Sequence, residues 1–254
     1  MAYHPSVMRT LLFCTSHLRD EQSWISRYRR WIDYYADGPI QYSRMLLLDD
    51  ASPFTPDRSE IETISSEDMV GRSDGARHLL VRFPKHLGRQ SMSAYPGWWR
   101  SFFFSLDAAR AMNLQKIVHI ESDAFVLSPR LADFLNEVRS GWHTLWLPKY
   151  GMPETAVQVI CEDQFCRFEQ FQKDSTNQIN QAIAEQILPF TDVHKEFAGD
   201  RYSEFKRNRW IFRSRKFDFF PIFQKDFFWE PIPVDADFAT QVVSRQSVVF
   251  RSAK

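Results

Sequence analysis

An apolar strand that ends in two closely spaced carboxylates is the feature that most constrains how this chain folds. Residues 116–127 read KIVHIESDAFVL, in which the apolar run meets Glu121 and, two residues later, Asp123. Such a run predicts a buried strand of an α/β sheet, and α/β sheets bind their ligands at the carboxyl ends of their strands. The segment therefore predicts an α/β fold with a ligand site beside Glu121 and Asp123.

The acidic pair has two interpretations. Hard cations such as Mg²⁺ or Mn²⁺ take oxygen ligands and complete their shell with substrate phosphates, so the pair predicts a divalent-cation site for a nucleotide-diphosphate substrate. The alternative is that Glu121 and Asp123 cap the loop before a helix that starts at Ser128 and Pro129. Both interpretations stay open on this segment alone.

The composition indicates a globular domain without a strong global charge. The 254 residues are 44% hydrophobic, and Lys and Arg balance Asp and Glu at 32 each. A chain of this size can bury one large core, so residues 1–254 are predicted to form a single domain. A net charge of zero provides no broad basic field, so we expect no nucleic acid as a partner.

The cysteines and the apolar runs predict a cytoplasmic protein. Cys14, Cys161 and Cys166 are an odd number without the spacing of a zinc site, so we expect buried thiols in a reducing compartment. No run approaches the ~20 apolar residues of a membrane helix. The apolar run at residues 11–14 is too short for a signal peptide.

The first half of the chain predicts strands that alternate with helices. Apolar residues recur at helical spacing from Trp24 to Tyr35, and a second helix is predicted for residues 98–112. Short apolar strands are predicted at residues 9–16, 43–48 and 79–83. This order predicts a parallel sheet, with residues 53–75 as an irregular surface region. In the second half, we predict a strand at residues 141–147 and helices at 162–173 and 178–188.

Two acidic strand ends in this order resemble a known enzyme group. Asp49-Asp50-Ala51-Ser52 follows the second strand, and Glu121-Ser122-Asp123 follows a later one. This pattern, over residues 7–130, resembles the nucleotide-sugar-binding half of GT-A-fold glycosyltransferases. The resemblance implies a Rossmann-like mixed sheet flanked by helices, with residues 1–130 as the nucleotide-sugar-binding half and residues 131–254 as the acceptor-side half.

The resemblance also implies roles for single residues. Glu121 and Asp123 would take the place of the D-x-D signature, which holds Mn²⁺ or Mg²⁺ against the diphosphate. Glu in place of Asp at position 121 would shift direct coordination toward Asp123. The residues that it implies around the nucleotide sugar are Thr15, Ser16, Asp49, Asp50 and Ser122. For Asp49 and Asp50, an Asx turn after the strand is the alternative.

A transferase that inverts the sugar configuration also needs a carboxylate base beside the acceptor hydroxyl. Glu162 and Asp163, which follow the apolar run at residues 157–160, are the candidate catalytic pair. The alternative is that they are acids at a helix N-terminus, where negative charge is favourable. A retaining enzyme needs no such base, and the sequence does not choose between the two outcomes.

Aromatic and basic residues after the Tyr95-Pro96-Gly97 turn are further candidates for the nucleotide-sugar site. An exposed Trp98 or Trp99 can stack on a base or a sugar, and Arg100 can pair with a phosphate. The alternative is that the tryptophans belong to the core.

Residues 201–216 carry seven basic residues against one acid, interleaved with aromatic residues. We expect residues 201–220 to contact an anionic membrane surface peripherally, or to clamp a diphosphate or a lipid-linked acceptor. Solvated arginines over a Phe-rich core are the alternative.

These patterns together predict a divalent-metal-dependent glycosyltransferase, which moves a sugar from a nucleotide-diphosphate donor to a glycan or lipid-linked acceptor. The first alternative is a nucleotidyltransferase, although residues 15–19 lack the Gly-rich loop that such enzymes usually carry after the first strand. The second is a non-catalytic module that binds a sugar nucleotide or a glycan. Metal-dependent turnover distinguishes the enzyme from the module.

Overall fold

The computed structural model describes residues 8–69, 76–91, 93–176, 178–179, 181–202 and 230–251. Its strands are β1 Thr10–Ser16, β2 Arg44–Asp49, β3 Glu62–Ser65, β4 His78–Arg82, β5 Lys116–Ile120, β6 Phe125–Val126, β7 Trp142–Leu147, β8 Met152–Cys161, β9 Asp192–His194, β10 Gly199–Arg201 and β11 Phe238–Thr240. Its α-helices are α1 Glu21–Ser23, α2 Arg30–Ala36, α3 Pro96–Ala111, α4 Pro129–Glu137, α5 Phe165–Asp174 and α6 Ala184–Ile187.

Two short segments of other helical type adjoin the α-helices. A π-helical segment, Trp24–Arg29, joins α1 to α2, so the chain is helical from Glu21 to Ala36. A 3-10 turn, Glu162–Gln164, precedes α5. The helix start predicted at Ser128 is confirmed, because its hydroxyl accepts from Leu131 N at 3.3 Å.

An eight-stranded mixed sheet forms the centre of the fold, in the order β3-β4-β2-β1-β5-β8-β7-β9. The first five strands in this order are mutually parallel. Among the described strands of this sheet, β8 alone runs in the opposite direction, antiparallel to both β5 and β7. The predicted α/β class, with a mixed sheet flanked by helices and a parallel first half, is confirmed.

Both faces of the sheet are buried, which explains why the strands read as continuous apolar runs. In β1, Leu12 and Cys14 point to the cluster that contains α2 and α4, whereas Leu11 and Phe13 point to the cluster that contains α3 and α5. The alternation follows from the two-residue period of a strand. The result is a three-layer arrangement of helices, sheet and helices.

A second sheet of three short strands, β10-β11-β6, lies beyond the end of β5. Because β11 pairs antiparallel with β6, the residues directly after Asp123 are fixed by the last part of the described chain. Phe125 and Ala239 belong to the small apolar cluster under this sheet.

Three sequence expectations need correction. β3 lies inside the region predicted as irregular, because an edge strand with half-exposed faces does not need an apolar sequence. The helix predicted at residues 178–188 is limited to α6 in the described part of that segment. Cys14 and Cys161 are buried as expected, but Cys166 is exposed.

In the described residues, no helix is both long and apolar enough to cross a membrane.

A buried lysine connects the sheet to the end of α4. Lys116 is 1% exposed, and its Nζ donates to the carbonyls of Leu135, Asn136 and Val138 at 3.1, 2.7 and 3.4 Å. These carbonyls lack partners within the helix, so the lysine caps the α4 C-terminus from the sheet. Burial lowers the pKa of Lys116 to about 8.

We expect Lys116→Met to change how stability depends on pH. Because the folded-state pKa lies below the ordinary 10.5, the unfolded chain binds more protons between about 8 and 10.5, and this group adds stability as the pH rises through that window. Methionine cannot titrate. The free energy of unfolding of the wild type should therefore rise by about 1–3 kcal/mol relative to that of the variant between pH 7 and pH 10. Urea unfolding at both pH values measures the gain.

Lys173→Met is the matched control, because Lys173 is an exposed lysine of α5 that donates to Glu169. Its difference from the wild type should stay within about 0.5 kcal/mol at both pH values. A Lys116→Met difference that is the same at pH 7 and pH 10 contradicts the proposed effect of burial.

Candidate functional site at the carboxyl ends of β1 and β5

The order of the strands predicts a ligand crevice between β1 and β5. From β1 the chain moves outward to β2 and β4, and then it crosses back to β5 on the other side of β1. Connections that leave in opposite directions open a crevice at the carboxyl ends of the two central strands, and α/β sheets bind ligands there. Thr15 at the end of β1 and Glu121 just past β5 meet at this point, with Thr15 Oγ1 2.9 Å from Glu121 Oε2.

The Glu121 carboxylate collects donors from three elements. The Thr15 hydroxyl lies within 3.0 Å of both of its oxygens, and the Trp98 indole N–H of α3 donates to Oε1. The His119 Nε2 atom of β5 lies 3.2 Å from the same oxygen. A carboxylate that is only 15% exposed needs such partners to remain charged. Glu121 therefore joins β1, α3 and β5 at the crevice.

A chain of buried hydrogen bonds fixes the tautomer of His119. The Trp142 indole N–H can only donate, and it lies 2.9 Å from the Gln158 Oε1 atom, so the Gln158 amide nitrogen faces His119 Nδ1 at 3.2 Å. Nδ1 is then the acceptor, and the ring proton sits on Nε2, on the side of Glu121. His119 is therefore a structural residue of this network.

These contacts explain the acidity of Glu121. Burial alone would raise its pKa, but the contact with His119, the Trp98 hydrogen bond and the charge of Arg27 together hold it below the ordinary value. Glu121 is therefore ionised at neutral pH.

Arg27, in the π-helical segment, is a site residue that the sequence interpretation missed. Its Nε atom donates to Ser122 Oγ at 2.5 Å, and its Nη2 atom donates to Asp123 Oδ2 at 3.1 Å. Burial alone would lower the pKa of Arg27, but the Asp123 charge raises it. The available signal was a cation beside Trp24 and Tyr28 on the otherwise apolar face of the helix.

Asp49, predicted beside the nucleotide, is fully buried and held by protein groups. It accepts from Ser52 N at 3.0 Å and from Arg82 Nε at 3.2 Å. The Ser52 contact is a local turn contact like the one in the alternative interpretation, although it spans three residues and not the two of an Asx turn. Burial raises the pKa of Asp49, although these hydrogen bonds oppose that effect.

Asp50 anchors the loop that leads into α3. Its carboxylate accepts from Gly88 N at 2.7 Å, lies 3.0 Å from His86 Nδ1, and pairs with Arg100. A Cβ atom at position 97 would overlap the Asp50 carboxylate, so Gly97 is required for this close approach. The contacts of Asp49 and Asp50 with a base and a ribose stay a prediction.

The expectations for the start of α3 need correction. Trp99 is 1% exposed and donates to Ile179 O at 3.1 Å, so it belongs to the core and cannot stack on a ligand. The half-buried Trp98 is the tryptophan that reaches the crevice. Arg100, predicted to pair with phosphate, is bound to Asp50. Two adjacent tryptophans in a sequence do not reveal which one faces the core.

The candidate base pair Glu162 and Asp163 lies at the wrong edge of the sheet. Because β8 runs antiparallel to β5, Cys161 pairs with Lys116, at the opposite end of β5 from Glu121. At ~3.3 Å per residue, about 13 Å of strand separates the two edges. Asp163 accepts instead from Gly141 N at 3.0 Å. In this position, Glu162 and Asp163 cannot act as the catalytic base of a reaction beside Glu121.

The reversed direction of β8 brings a different carboxylate to the crevice edge. Glu154, near the start of β8, is 1% exposed and accepts from Arg201 Nε at 2.9 Å and from Thr240 Oγ1 at 2.8 Å. Arg201 also donates to Glu185 of α6 at 2.7 Å. Tyr95 holds α6 in place, because its hydroxyl accepts from Ala184 N at 2.6 Å. Glu154 was missed because the sequence does not show the direction of β8, and Glu185 was missed because its ion pair with Arg201 joins distant parts of the chain.

The predicted basic patch lies mostly outside the described residues, which omit 203–229. Of its described members, Arg201 has a side chain only 10% exposed and is paired with Glu154 and Glu185, so this residue does not face a membrane. Peripheral membrane contact through the rest of residues 201–220 stays a prediction.

The acids at the crevice do not fit a divalent cation. A hard cation needs several open oxygen ligands, yet Glu121 is engaged by Thr15, Trp98 and His119, and Asp123 is paired with Arg27. Within the described residues, no group of three or more His, Cys, Asp or Glu side chains converges to hold a metal ion. The requirement for Mn²⁺ or Mg²⁺ stays a prediction that these contacts do not favour.

No protein-family model and no curated protein matches this sequence. Among solved structures, a glycosyltransferase involved in the glycosylation of the major capsid of PBCV-1 is 10% identical, with a TM-score of 0.41 over 76% of this chain and 84% of that chain. A mycobacterial protein is 13% identical, with a TM-score of 0.37 over 69% of this chain and 64% of that chain. Likenesses at this level carry no argument about function.

We expect Trp98→Phe to weaken the fold in a pH-dependent way. The variant keeps the aromatic stack on Phe102 but loses a hydrogen bond to an ionised carboxylate, which costs about 1–3 kcal/mol at pH 7. Because Glu121 has a lowered pKa in the fold, its stabilisation is present above the ordinary 4.5 and is lost as the pH falls through the folded value. The difference from the wild type should therefore shrink below pH 4.5, as measured by urea unfolding at pH 7 and pH 3.5.

Trp99→Phe is the control from the next position of α3. Trp99 donates to a neutral carbonyl, that of Ile179, so its loss should not depend on pH in this range. Equal pH dependence in the two variants contradicts the assignment of Glu121 as the ionised acceptor.

Proposed function

We propose that this chain is a glycosyltransferase of the GT-A type that binds a nucleotide-diphosphate sugar in the crevice between β1 and β5. The supporting observation is the meeting of Thr15, Glu121 and Arg27 where the strand order reverses. Such a crevice is the usual ligand site of an open α/β sheet. Fixed charges and hydrogen-bond donors there suit a substrate whose diphosphate gains negative charge during the reaction.

The transfer makes one bond and breaks one bond at the anomeric carbon of the donor sugar. The acceptor hydroxyl oxygen bonds to that carbon, and the bond from the carbon to the diphosphate oxygen breaks, so that the electron pair leaves on the diphosphate. The acceptor proton passes to a base. For an inverting reaction we assign this role to Glu185, which is partly buried near the crevice edge and has one hydrogen-bond partner, Arg201, among the described residues.

The acceptor in this proposal is a glycan or a lipid-linked sugar. Its side of the crevice would be formed by α6 and by the three-stranded sheet of β10, β11 and β6, which lie beyond the carboxyl end of β5.

A non-catalytic sugar-nucleotide binding module is the second candidate. It is favoured by the Glu121 carboxylate, whose oxygens are already held by Thr15 and Trp98. A module binds a nucleotide sugar without releasing its nucleoside diphosphate, so turnover separates the two candidates.

We expect Asp123→Ala to reduce turnover at least 100-fold. The substitution removes the carboxylate that holds the Arg27 guanidinium where the proposal places the diphosphate. The wild type is first assayed with UDP-, GDP-, CMP- and dTDP-sugars for release of the nucleotide, with and without acceptor glycans. The variant is then assayed with the active donor, and its thermal unfolding temperature confirms that it is folded.

Glu162→Gln is the matched acidic control, because Glu162 is exposed at the opposite edge of the sheet. It should retain wild-type turnover within twofold. Turnover that survives Asp123→Ala, or that is lost in Glu162→Gln, contradicts the placement of the active crevice, and no turnover with any donor favours the binding module.

A further inference from the structure

Arg27 has hydrogen-bonding capacity that the fold does not use. Two of its nitrogen atoms, Nε and Nη2, are engaged by Ser122 and Asp123. Among the described residues, its Nη1 atom has no hydrogen-bond partner, and the side chain is 40% exposed. A guanidinium presents five N–H donors in a fixed planar arrangement, so donors remain for a ligand.

The backbone at Arg27 is also unusual. The helix from Glu21 to Ala36 widens into a π-helical turn over Trp24–Arg29, which is rare and is frequent at functional sites. In that turn the Tyr28 hydroxyl accepts from His17 N at 2.9 Å, just past the end of β1. The π-helical turn therefore ties Arg27 to the same strand end that carries Thr15.

Arg27 is the cation that lies beside the two acids where β1 and β5 end. It lies against Asp123, and its charge contributes to the low pKa of Glu121. A guanidinium binds phosphate oxygens in a bidentate way, and unlike a metal ion it needs no open carboxylate ligands.

We propose that Arg27 takes the place of a divalent cation and binds the diphosphate of the donor directly, so that donor binding is independent of metal. This inference rests on the proposed function, because it names what holds the leaving diphosphate of that reaction. Ser122 and Asp123 are then positioning residues, which hold the guanidinium fork with its remaining donors toward the crevice. The charge that develops on the diphosphate is stabilised by a fixed cation of the protein itself.

A purely structural role for Arg27 predicts a different result. An ion pair with 40% exposure on the arginine side contributes little to stability, so the loss of the pair should leave the protein folded. If Arg27 has only a structural role, its substitution should not lower the affinity for a ligand that is measured in the absence of metal.

Isothermal titration calorimetry with UDP, GDP, CDP and inorganic pyrophosphate tests the proposal, in EDTA and in Mn²⁺. The proteins are the full chain as wild type, Arg27→Met, Arg27→Lys and the control Arg29→Met. Arg29 is the matched residue, because it lies in the same π-helical turn, is 52% exposed and pairs with a carboxylate, that of Glu60. Thermal unfolding of each variant confirms the fold.

We expect at least one probe to bind the wild type with affinities in EDTA and in Mn²⁺ that agree within threefold. Arg27→Met should weaken this binding at least tenfold, Arg27→Lys should weaken it less, and Arg29→Met should change it by less than twofold. Lysine keeps the charge but not the planar guanidinium, so the difference between the Met and Lys variants reports on the charge, and the loss that remains in Arg27→Lys reports on bidentate contact.

Three results overturn the proposal. Binding that requires Mn²⁺ overturns it while the transferase proposal stands, and so does metal-free binding that Arg27→Met leaves unchanged. The absence of binding by every probe under both conditions removes the proposed function and this inference together. Metal-free binding that depends on Arg27, without turnover of any nucleotide sugar, supports the anion site and removes the transferase reaction.

Discussion

The hydrogen bonds to Glu121 determine how the elements around the crevice are placed. One carboxylate with little access to water accepts hydrogen bonds from Thr15 of β1 and Trp98 of α3, and His119 Nε2 of β5 lies 3.2 Å from it. Burying an ionised group without hydrogen-bond partners is costly, so a shift of any of the three elements would leave a largely buried charge less well stabilised. Through His119, Gln158 and Trp142, the same network reaches β8 and β7.

This arrangement separates groups that hold the fold from groups that are open to a ligand. Asp49 and Asp50 are engaged by arginines and by turn N–H groups, and they fix the loops on the β2 side of the crevice. Arg27 differs because it is bound on one side only. Its remaining donors are therefore available to an anion.

The sequence predicts most of the parallel half of the sheet but not the geometry of the crevice. The apolar runs of β1, β2 and β5 identify buried strands, because both of their faces pack against helices. The position of Glu162 was misjudged because an apolar run does not reveal whether its strand is parallel or antiparallel to its neighbour. Since β8 is antiparallel to β5, the end of β8 that precedes Glu162 lies at the edge of the sheet opposite to Glu121. Arg27 was missed, and the hydrogen bond from Trp98 to Glu121 was not predicted, because both depend on side chains that are distant in the sequence.

The central position of β1 in the sheet affects the order in which the chain can fold. Its partners are β2 and β5, and the second pairing joins Thr10 to Lys116, so one edge of β1 stays open until β5 has been synthesised and α3 has folded. An open strand edge is a template for association with other chains, and pairings between distant segments form slowly. Since Glu121 lies just after β5, the contact that completes the crevice is also the one that closes this edge. Substitutions that loosen the crevice are therefore expected to lower the yield of soluble protein during synthesis, before any effect on the folded molecule is measured.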